Sequence, residues 1–477
     1  MPGFTPARRW QAAYRPFKHR TFGEKVEETL ESAVKGALFG CRMCGNCLLQ
    51  ETAFICPMEC PKGLRNGPCG GSTPEHCYVD PQRPCIWFKI YERAEKMGRL
   101  ERLMEVLPPL DWEKTGTSAF KDLRMHVKEK GGVKAIWRGV TAPPAVRRQK
   151  WERFFFELRQ PDWWQGDDQP HPAPAHEPVS RLEAALVKGE FVLTAEVAPP
   201  ITANADDVTK KVLLVKDFVH AVNFTDNPSA TPRMSSMACC LIAMQNGVEP
   251  VMQVAARDRT RMGFQGEILG ATALGIRNIL FITGDHPIIG PGPNGRMDIW
   301  DFDSIQAVWM ARRMRDEGHF LDCREIKCVP QLFIGSAGSP NSSTPLIQAM
   351  REEKKVNAGT QFMQTNLIYD LDLFEEYLES LDKRGVLERV FLLAGVAPIR
   401  SVKGALAMRQ IPGVKIPDAV IKRMEASADP REESIQITLE NMQRISRMRG
   451  VRGLHLTAVG WESVVPRLVT ESGLTRK

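Results

Sequence analysis

From about residue 180 onward the chain repeats one pattern, a short apolar, β-branched run followed by a longer amphipathic stretch. The runs are FVLTAE (191–196), HAVNFT (220–225), PVMQVA (250–255), NILFIT (278–283), CVPQLFIG (328–335), QFMQTN (361–366), RVFLLAG (389–395) and GLHLT (453–457). Short runs that are apolar nearly throughout read as strands covered on both faces, as in parallel sheets. Between them, segments such as ADDVTKKVLLVKDF, FDSIQAVWMARRMRDEG and DLFEEYLESLDKRG carry helical spacing, and the long interval 416–449 has room for two helices. Eight strand–helix units in about 290 residues predict an α/β fold, a (β/α)8 TIM barrel. An open doubly wound sheet with an added strand is the alternative.

The first third of the chain has another character. Of 12 cysteines, eight lie between Cys41 and Cys85. A disulfide-stapled secreted module could show that density. The basic N-terminal stretch MPGFTPARRWQAAYRPFKHRTFGEK, however, lacks the apolar segment of a secretory signal. No run of about 18 apolar residues suggests a membrane span. A net charge of +7 over 477 residues is too mild for a nucleic-acid protein. The expectation is therefore a cytoplasmic chain whose cysteines bind metal. Cys41, Cys44 and Cys47 stand at two-residue gaps, followed by Cys56-Pro, Cys60-Pro, Cys69, Cys77 and Cys85. C-x2-C-x2-C with a later C-P suits a 4Fe-4S cluster, while tetrahedral thiolate ligation suits zinc, and both remain open. Cys239, Cys240, Cys323 and Cys328 lack ligand spacing and read as buried apolar fillers. The expected organisation is a small cysteine-rich metal-binding domain with a helical extension (1–160), a Pro-rich linker (161–178) and the barrel (179–477). Helical patterns are expected near 26–38 and over 86–107. The tryptophans at 151, 163 and 164 would pack the linker onto a domain.

In such barrels the chemistry lies where strands end. The first run closes on Glu196, and a carboxylate there is costly to desolvate unless it has a partner or a task. Burial is also what turns a carboxyl group into a general acid near neutral pH. A salt-bridged rim residue is the plainer reading. The second run ends in Thr225, the third carries Gln253 with Arg257 and Asp258 beyond, and the fourth ends Thr283-Gly284-Asp285 before a loop to Gly295. Gly284 provides a tight turn that lets backbone approach a ligand, while Asp285 could instead cap that loop. Gly335 ends the fifth run, the sixth carries Gln364 and Asn366, and the eighth carries His455 and Thr457. No Gly-rich dinucleotide fingerprint follows the first strand.

These strand ends, in this order, resemble methylenetetrahydrofolate reductase, a flavin-dependent barrel enzyme. The matching pieces are TAEVAPP, ILFITGDHP, KKVNAGTQFMQTNLIYD, LAGVAPIRS and VKIPDAVIKRM, spread over about residues 180–475. The resemblance implies reduction of 5,10-methylenetetrahydrofolate to 5-methyltetrahydrofolate by a hydride from reduced flavin, FAD or FMN. By position, Glu196 resembles the proton donor that helps open the imidazolidine ring, and Asp285 the acid that holds the pterin. Thr225, Gln253 and Thr283 fall at flavin-side positions, and Lys355 resembles a contact to the flavin's phosphate-bearing tail; the glycines Gly284 and Gly335 fit a bound flat ring or phosphate, though glycine is common in such turns. Gln364 and Asn366 flank the place of a folate-binding glutamine. Thr283 stands where a bacterial form has arginine, Gln253 where it has histidine, and Val402 near an aromatic folate-stacking position. The cysteine block, with NGPCGG and CYVDPQRPCIW, resembles the cysteine-rich partner of the acetogen-type reductase, here fused ahead of the barrel. That resemblance implies a redox partner protein, and a homo-oligomer is expected. Two other classes stay in view: a non-catalytic electron-transfer or scaffold subunit of a folate-reductase complex, and a folate-dependent methyltransferase.

Overall fold

The structure, a computed structural model, describes residues 21–119, 128, 134, 164, 171, 176–292, 300–411, 413–458 and 460–474. Eight strands close into a barrel in chain order: β1 (Val192–Val197), β2 (Ala221–Phe224), β3 (Pro250–Ala255), β4 (Asn278–Ile282), β5 (Phe333–Gly338), β6 (Phe362–Leu367), β7 (Phe391–Val396) and β8 (Val451–Thr457). Every neighbouring pair is parallel, β8 closing on β1. The helices are α1 (Phe22–Phe39), α2 (Ile86–Lys96), α3 (Arg181–Val187), α4 (Asp206–Val215), α5 (Ser236–Gln245), α6 (Arg261–Ala273), α7 (Ser304–Arg312), α8 (Pro345–Ala358), α9 (Leu371–Lys383), α10 (Val402–Met408), α11 (Asp418–Ala426), α12 (Pro430–Ile445) and α13 (Val465–Ser472). The two helices expected in 416–449 are α11 and α12.

Alternation along the strands splits the core into two layers. Val192, Ala221, Val251, Leu280, Phe333, Phe362 and Leu393 form an inner cluster with Leu182 and Leu186 of α3, which stops the lower end of the barrel. Leu193, Val222, Met252, Ile279, Ile334 and Leu392 belong to the outer cluster, with Val208 and Val212 of α4 and Val308 of α7. Each such side chain contributes about 1.5–3 kcal/mol on burial, so these two layers hold the barrel closed. Helix starts follow local chemistry. Asp303 and Gln306 form a capping box at α7, and Ser180, Thr260 and Asp370 cap α3, α6 and α9.

Several expectations need correction. The fifth strand begins at Phe333 and runs to Gly338. Pro330 has no N–H to give to a ladder, so the segment 328–332 stays outside the sheet. Gly335 consequently sits inside the strand and not at its end. The helical pattern over 86–107 stops at Lys96, because Gly98 takes φ +65°, and a separate 3-10 turn covers Leu100–Met104. Cys239 and Cys240 are buried as expected, whereas Cys323 and Cys328 are exposed.

The division of the chain also differs from the expected one. One compact unit comprises Met1–Cys60, Ile90–Leu103 and Pro109–Arg159; the other comprises Pro61–Lys89, Met104–Pro108 and Gln160–Lys477. Three of the eight cysteines of the block, Cys69, Cys77 and Cys85, therefore group with the barrel. Asn66, almost fully buried, shows why: its amide donates to Leu107 O (3.1 Å) and Asp303 Oδ2 (2.9 Å) and accepts from Leu107 N (2.7 Å). Trp164 is buried against Trp309, ring centroids 3.8 Å apart, and donates to Val106 O. Most of the basic stretch to Arg159, most of the Pro-rich 161–178, the end of the loop to Gly295 from residue 293 on, and the tryptophans at 151 and 163 lie outside the described residues.

Candidate functional site

The inward-facing positions above the apolar floor are polar, and they form one network. Gln364 on β6 reaches across the interior, its amide nitrogen 3.2 Å from Thr194 Oγ1 and 3.1 Å from Asn223 Oδ1, while Asn223 donates back to Gln364 Oε1. Thr194 Oγ1 is 2.9 Å from His455 Nδ1 on the adjoining β8. Thr194, Asn223, Gln364 and His455 are all buried. A satisfied polar network in a low-dielectric interior is rigid, because breaking any bond orphans a buried group. That rigidity supports the next residue up. The Glu196 carboxylate lies 3.7 Å from His455 Nε2 and 3.5 Å from Gln253 Nε2, its side chain 16% exposed. Glu196 is thus held from two sides yet still open to the barrel mouth. Gln364, expected at the folate, has its amide engaged beneath Glu196.

The second feature is the loop after β4. Gly284 has φ +87°, and a Cβ there would stand 2.9 Å from Arg257 Cβ, so the turn requires glycine. Asp285 follows, its Oδ2 accepting from Ser229 N (2.8 Å) and its backbone O from Arg257 Nη1 (3.1 Å). Arg257 is in turn paired with Asp258 at 2.6 Å, and that guanidinium holds the Asp258 carboxyl below its usual range against the opposing effect of burial. Burial keeps Asp226 above the usual carboxylate range despite Arg259 beside it. His286 is buried, stacked on Trp300 at 5.2 Å, and pushed down to about 4 by burial and the nearby Lys62 charge. Tyr78 donates to Asp285 Oδ1 (2.6 Å), a partner that no local sequence signal indicates. Thr194 and Asn223 were also missed, although both are polar residues within apolar strands.

The remaining candidates divide. Thr225, just past β2, is buried and its hydroxyl lacks a hydrogen-bond partner among the described residues. Thr283 has its hydroxyl bonded to Ser304 Oγ (3.1 Å) and to Ser304 N (3.3 Å) at the start of α7. Gly335 faces the Phe362 ring, which would lie 2.3 Å from an added Cβ. Lys355 is fully buried, ion-paired with Glu352 at 2.5 Å and donating to Ala337 O. Burial, with the Arg351 charge beside it, pushes its ammonium down to about 8. In that position Lys355 is not presented to an anionic tail. Asn366 lies half-buried at the end of β6, its amide nitrogen near Gly413.

The cysteines fall in both units. Cys41, Cys44, Cys47 and Cys56 line one pocket of the first, together with Glu31 and Lys35. Met43 N donates to Cys41 Sγ (3.4 Å), and Lys35 Nζ lies 3.5 Å from Cys47 Sγ. Burial pushes the Cys56 thiol up to about 11. Cys60 ends that unit's first segment; Cys69, Cys77 and Cys85 belong to the second. There Cys69 Sγ is 3.1 Å from Ser72 Oγ, and burial, then the Cys69 charge, pushes Cys85 up to about 11. All eight thiols are free, and among the described residues no three His, Cys, Asp or Glu side chains are already gathered as a metal site. No described helix is long and apolar enough to cross a membrane.

Residues 181–473 match the family described as methylenetetrahydrofolate reductase, and residues 22–113 match one described as methylene-tetrahydrofolate reductase C terminal. Methylenetetrahydrofolate reductase 2 of Schizosaccharomyces pombe is 25% identical over 216 residues, covering 43% of this chain and 33% of that protein. A probable methylenetetrahydrofolate reductase (NADH) of Oryza sativa subsp. japonica is 22% identical over 319 residues, covering 62% of this chain and 50% of that one. The chain thus spans no more than half the length of these curated relatives. Among solved structures, an uncharacterized Clostridium thermocellum protein that binds two copies of 5-methyl-5,6,7,8-tetrahydrofolic acid aligns at 14% identity and a TM-score of 0.45, over 61% of this chain and 97% of that one.

Proposed function

The chain belongs to the methylenetetrahydrofolate reductase family, and from that premise we propose that its barrel reduces 5,10-methylenetetrahydrofolate to 5-methyltetrahydrofolate using a bound flavin. The observation that carries the reading is Glu196, placed at the mouth beside His455 (3.7 Å) and within reach of the Gln253 amide (3.5 Å), above a bonded polar floor. Thr225, with its unpartnered hydroxyl, Gln253 and the Gly284 turn fit a flavin and would hold it. When bound, the flavin supplies the hydride. The chain's own residues do the rest. Glu196 delivers a proton to the departing ring nitrogen of the methylene bridge, and His455 and Gln253 keep its carboxyl aimed. Asp285 accepts N–H donors of the pterin edge and fixes the substrate's orientation, which is positioning work.

The cysteine-rich segment is, on this reading, a metal-centred module that passes electrons to the barrel. Cys41, Cys44, Cys47 and Cys56 are the fitting set for a cluster or zinc, because four thiols line one pocket and a backbone N–H already points at a sulfur. Burial of Cys56 disfavours its bare thiolate, and a bound cation would reverse that.

The test is the visible spectrum of anaerobically purified protein before and after 5-methyltetrahydrofolate is added. Flavin bands that bleach on addition support the reductase, and broad absorbance beneath them supports iron–sulfur over zinc. A colourless protein that does not rebind flavin overturns the reading, and methyl transfer to a corrinoid by that protein would replace it with a methyltransferase.

A further inference from the structure

Residues 61–89 carry no α-helix or strand until α2 begins at Ile86, yet two of their polar side chains are set firmly against the β4 loop. Lys62, only 4% exposed, donates to Gly284 O (3.0 Å) and lies 4.2 Å above the Tyr78 ring. Tyr78 donates to Asp285 Oδ1 at 2.6 Å. The segment therefore grips two consecutive residues of the loop, one by its carbonyl and one by its carboxylate. A phenol-to-carboxylate bond of this length is charge-assisted, about twice as strong as a neutral one. With Ser229 N on Oδ2, both oxygens of Asp285 are pinned and the plane of the carboxylate is fixed. Asp285 and Tyr78 are both half-buried, so the unshared lone pairs of the carboxylate remain within reach of a ligand entering the mouth.

We propose that Tyr78, supplied by the cysteine-rich segment, is a positioning residue of the folate pocket, holding Asp285 in the orientation that receives the pterin's N–H edge. Lys62 supports it by stacking on the Tyr78 ring and anchoring Gly284. This inference rests on the folate-reductase reading and adds that the barrel's substrate site is incomplete without residues 61–89. It also gives Tyr78 a specificity role: a substrate lacking paired N–H donors has nothing to match the fixed carboxylate.

The test is Tyr78→Phe in the full-length holoprotein, which removes one oxygen and keeps the ring under Lys62. The KM for methylenetetrahydrofolate and the Kd for 5-methyltetrahydrofolate, read from flavin absorbance, should rise about tenfold or more. The kcat should change less than KM, while flavin content and melting temperature stay at wild-type values. Lys62→Met should shift KM in the same direction by a smaller factor. In an Asp285→Asn background, Tyr78→Phe should add nothing further. Unchanged folate binding in Tyr78→Phe overturns the proposal and leaves Tyr78 a structural strap; tighter binding overturns it in favour of a gate. A wild-type protein that binds flavin but never turns over folate sinks the reductase reading itself, a failure distinct from that of Tyr78.

Discussion

Gly335→Ala separates a cofactor contact from a packing constraint. The ideal Cβ at Gly335 stands 2.3 Å from Phe362 Cζ and 2.6 and 2.7 Å from the two Cε atoms. Carbon–carbon contacts settle near 3.5–4.0 Å, so the ring has to retreat by about 1 Å. It has little room to do so, because it stacks on Phe333 at 4.7 Å and both rings are fully buried in the inner cluster above α3. Overpacking of that kind costs about 1–3 kcal/mol. For a barrel of this size that corresponds to a fall of about 2–5 °C in Tm. The assay is thermal melting of wild type and variant with bound flavin quantified in parallel. Flavin affinity should stay within about twofold, since the added methyl points at Phe362. Gly335→Ala combined with Phe362→Leu should recover part of the loss, because the smaller side chain vacates the contested volume. A variant that melts like wild type, or one that sheds flavin at unchanged Tm, would refute the packing argument and return Gly335 to the cofactor.

Glu196→Gln should lower folate reduction about 10²–10⁴-fold, the usual contribution of a general acid, while the flavin stays bound and reducible by dithionite; full activity would remove Glu196 from the proton step. The folded-state value of about 4 for His286 lies below its unfolded value near 6.5, so the unfolded chain binds more protons between those pH values. Stability is therefore lost as pH falls from 6.5 through 4, by about 3 kcal/mol from this residue, and urea midpoints of His286→Asn should show a shallower fall than wild type over that window. Cys56→Ala should lower the metal content of the purified protein and any cluster absorbance, whereas Cys323→Ala should leave both unchanged; equal metal in the two variants would exclude Cys56 as a ligand.

Strand periodicity, strand count and helical spacing are local properties, and they were enough to read the barrel, to place Glu196, Thr225 and Asp285 at or just past strand ends and to put Gln253 on the third strand. Cysteine spacing was equally local, and it singled out the group in which Cys41, Cys44, Cys47 and Cys56 share a pocket. What some of these side chains meet was decided by a distant partner. Thr283 sits at a strand end as expected, yet Ser304, twenty-one positions on, turns its hydroxyl toward α7. Gln364 carries the right chemistry on the right strand, but Thr194 and Asn223 occupy its amide.

The sequence by itself determined the class of fold, the order of its strands and the residue types available at the mouth, because a two-residue or 3.6-residue period is written in neighbouring positions. Only the tertiary structure decided which of those residues face one another. Tyr78 and Asp285 are 207 positions apart, and their bond exists because residues 61–89 group with the barrel and not with the thiol pocket they follow in the chain. Periodicity fixes the face a side chain occupies; what meets it there depends on closing the chain over long separations, which no local pattern encodes.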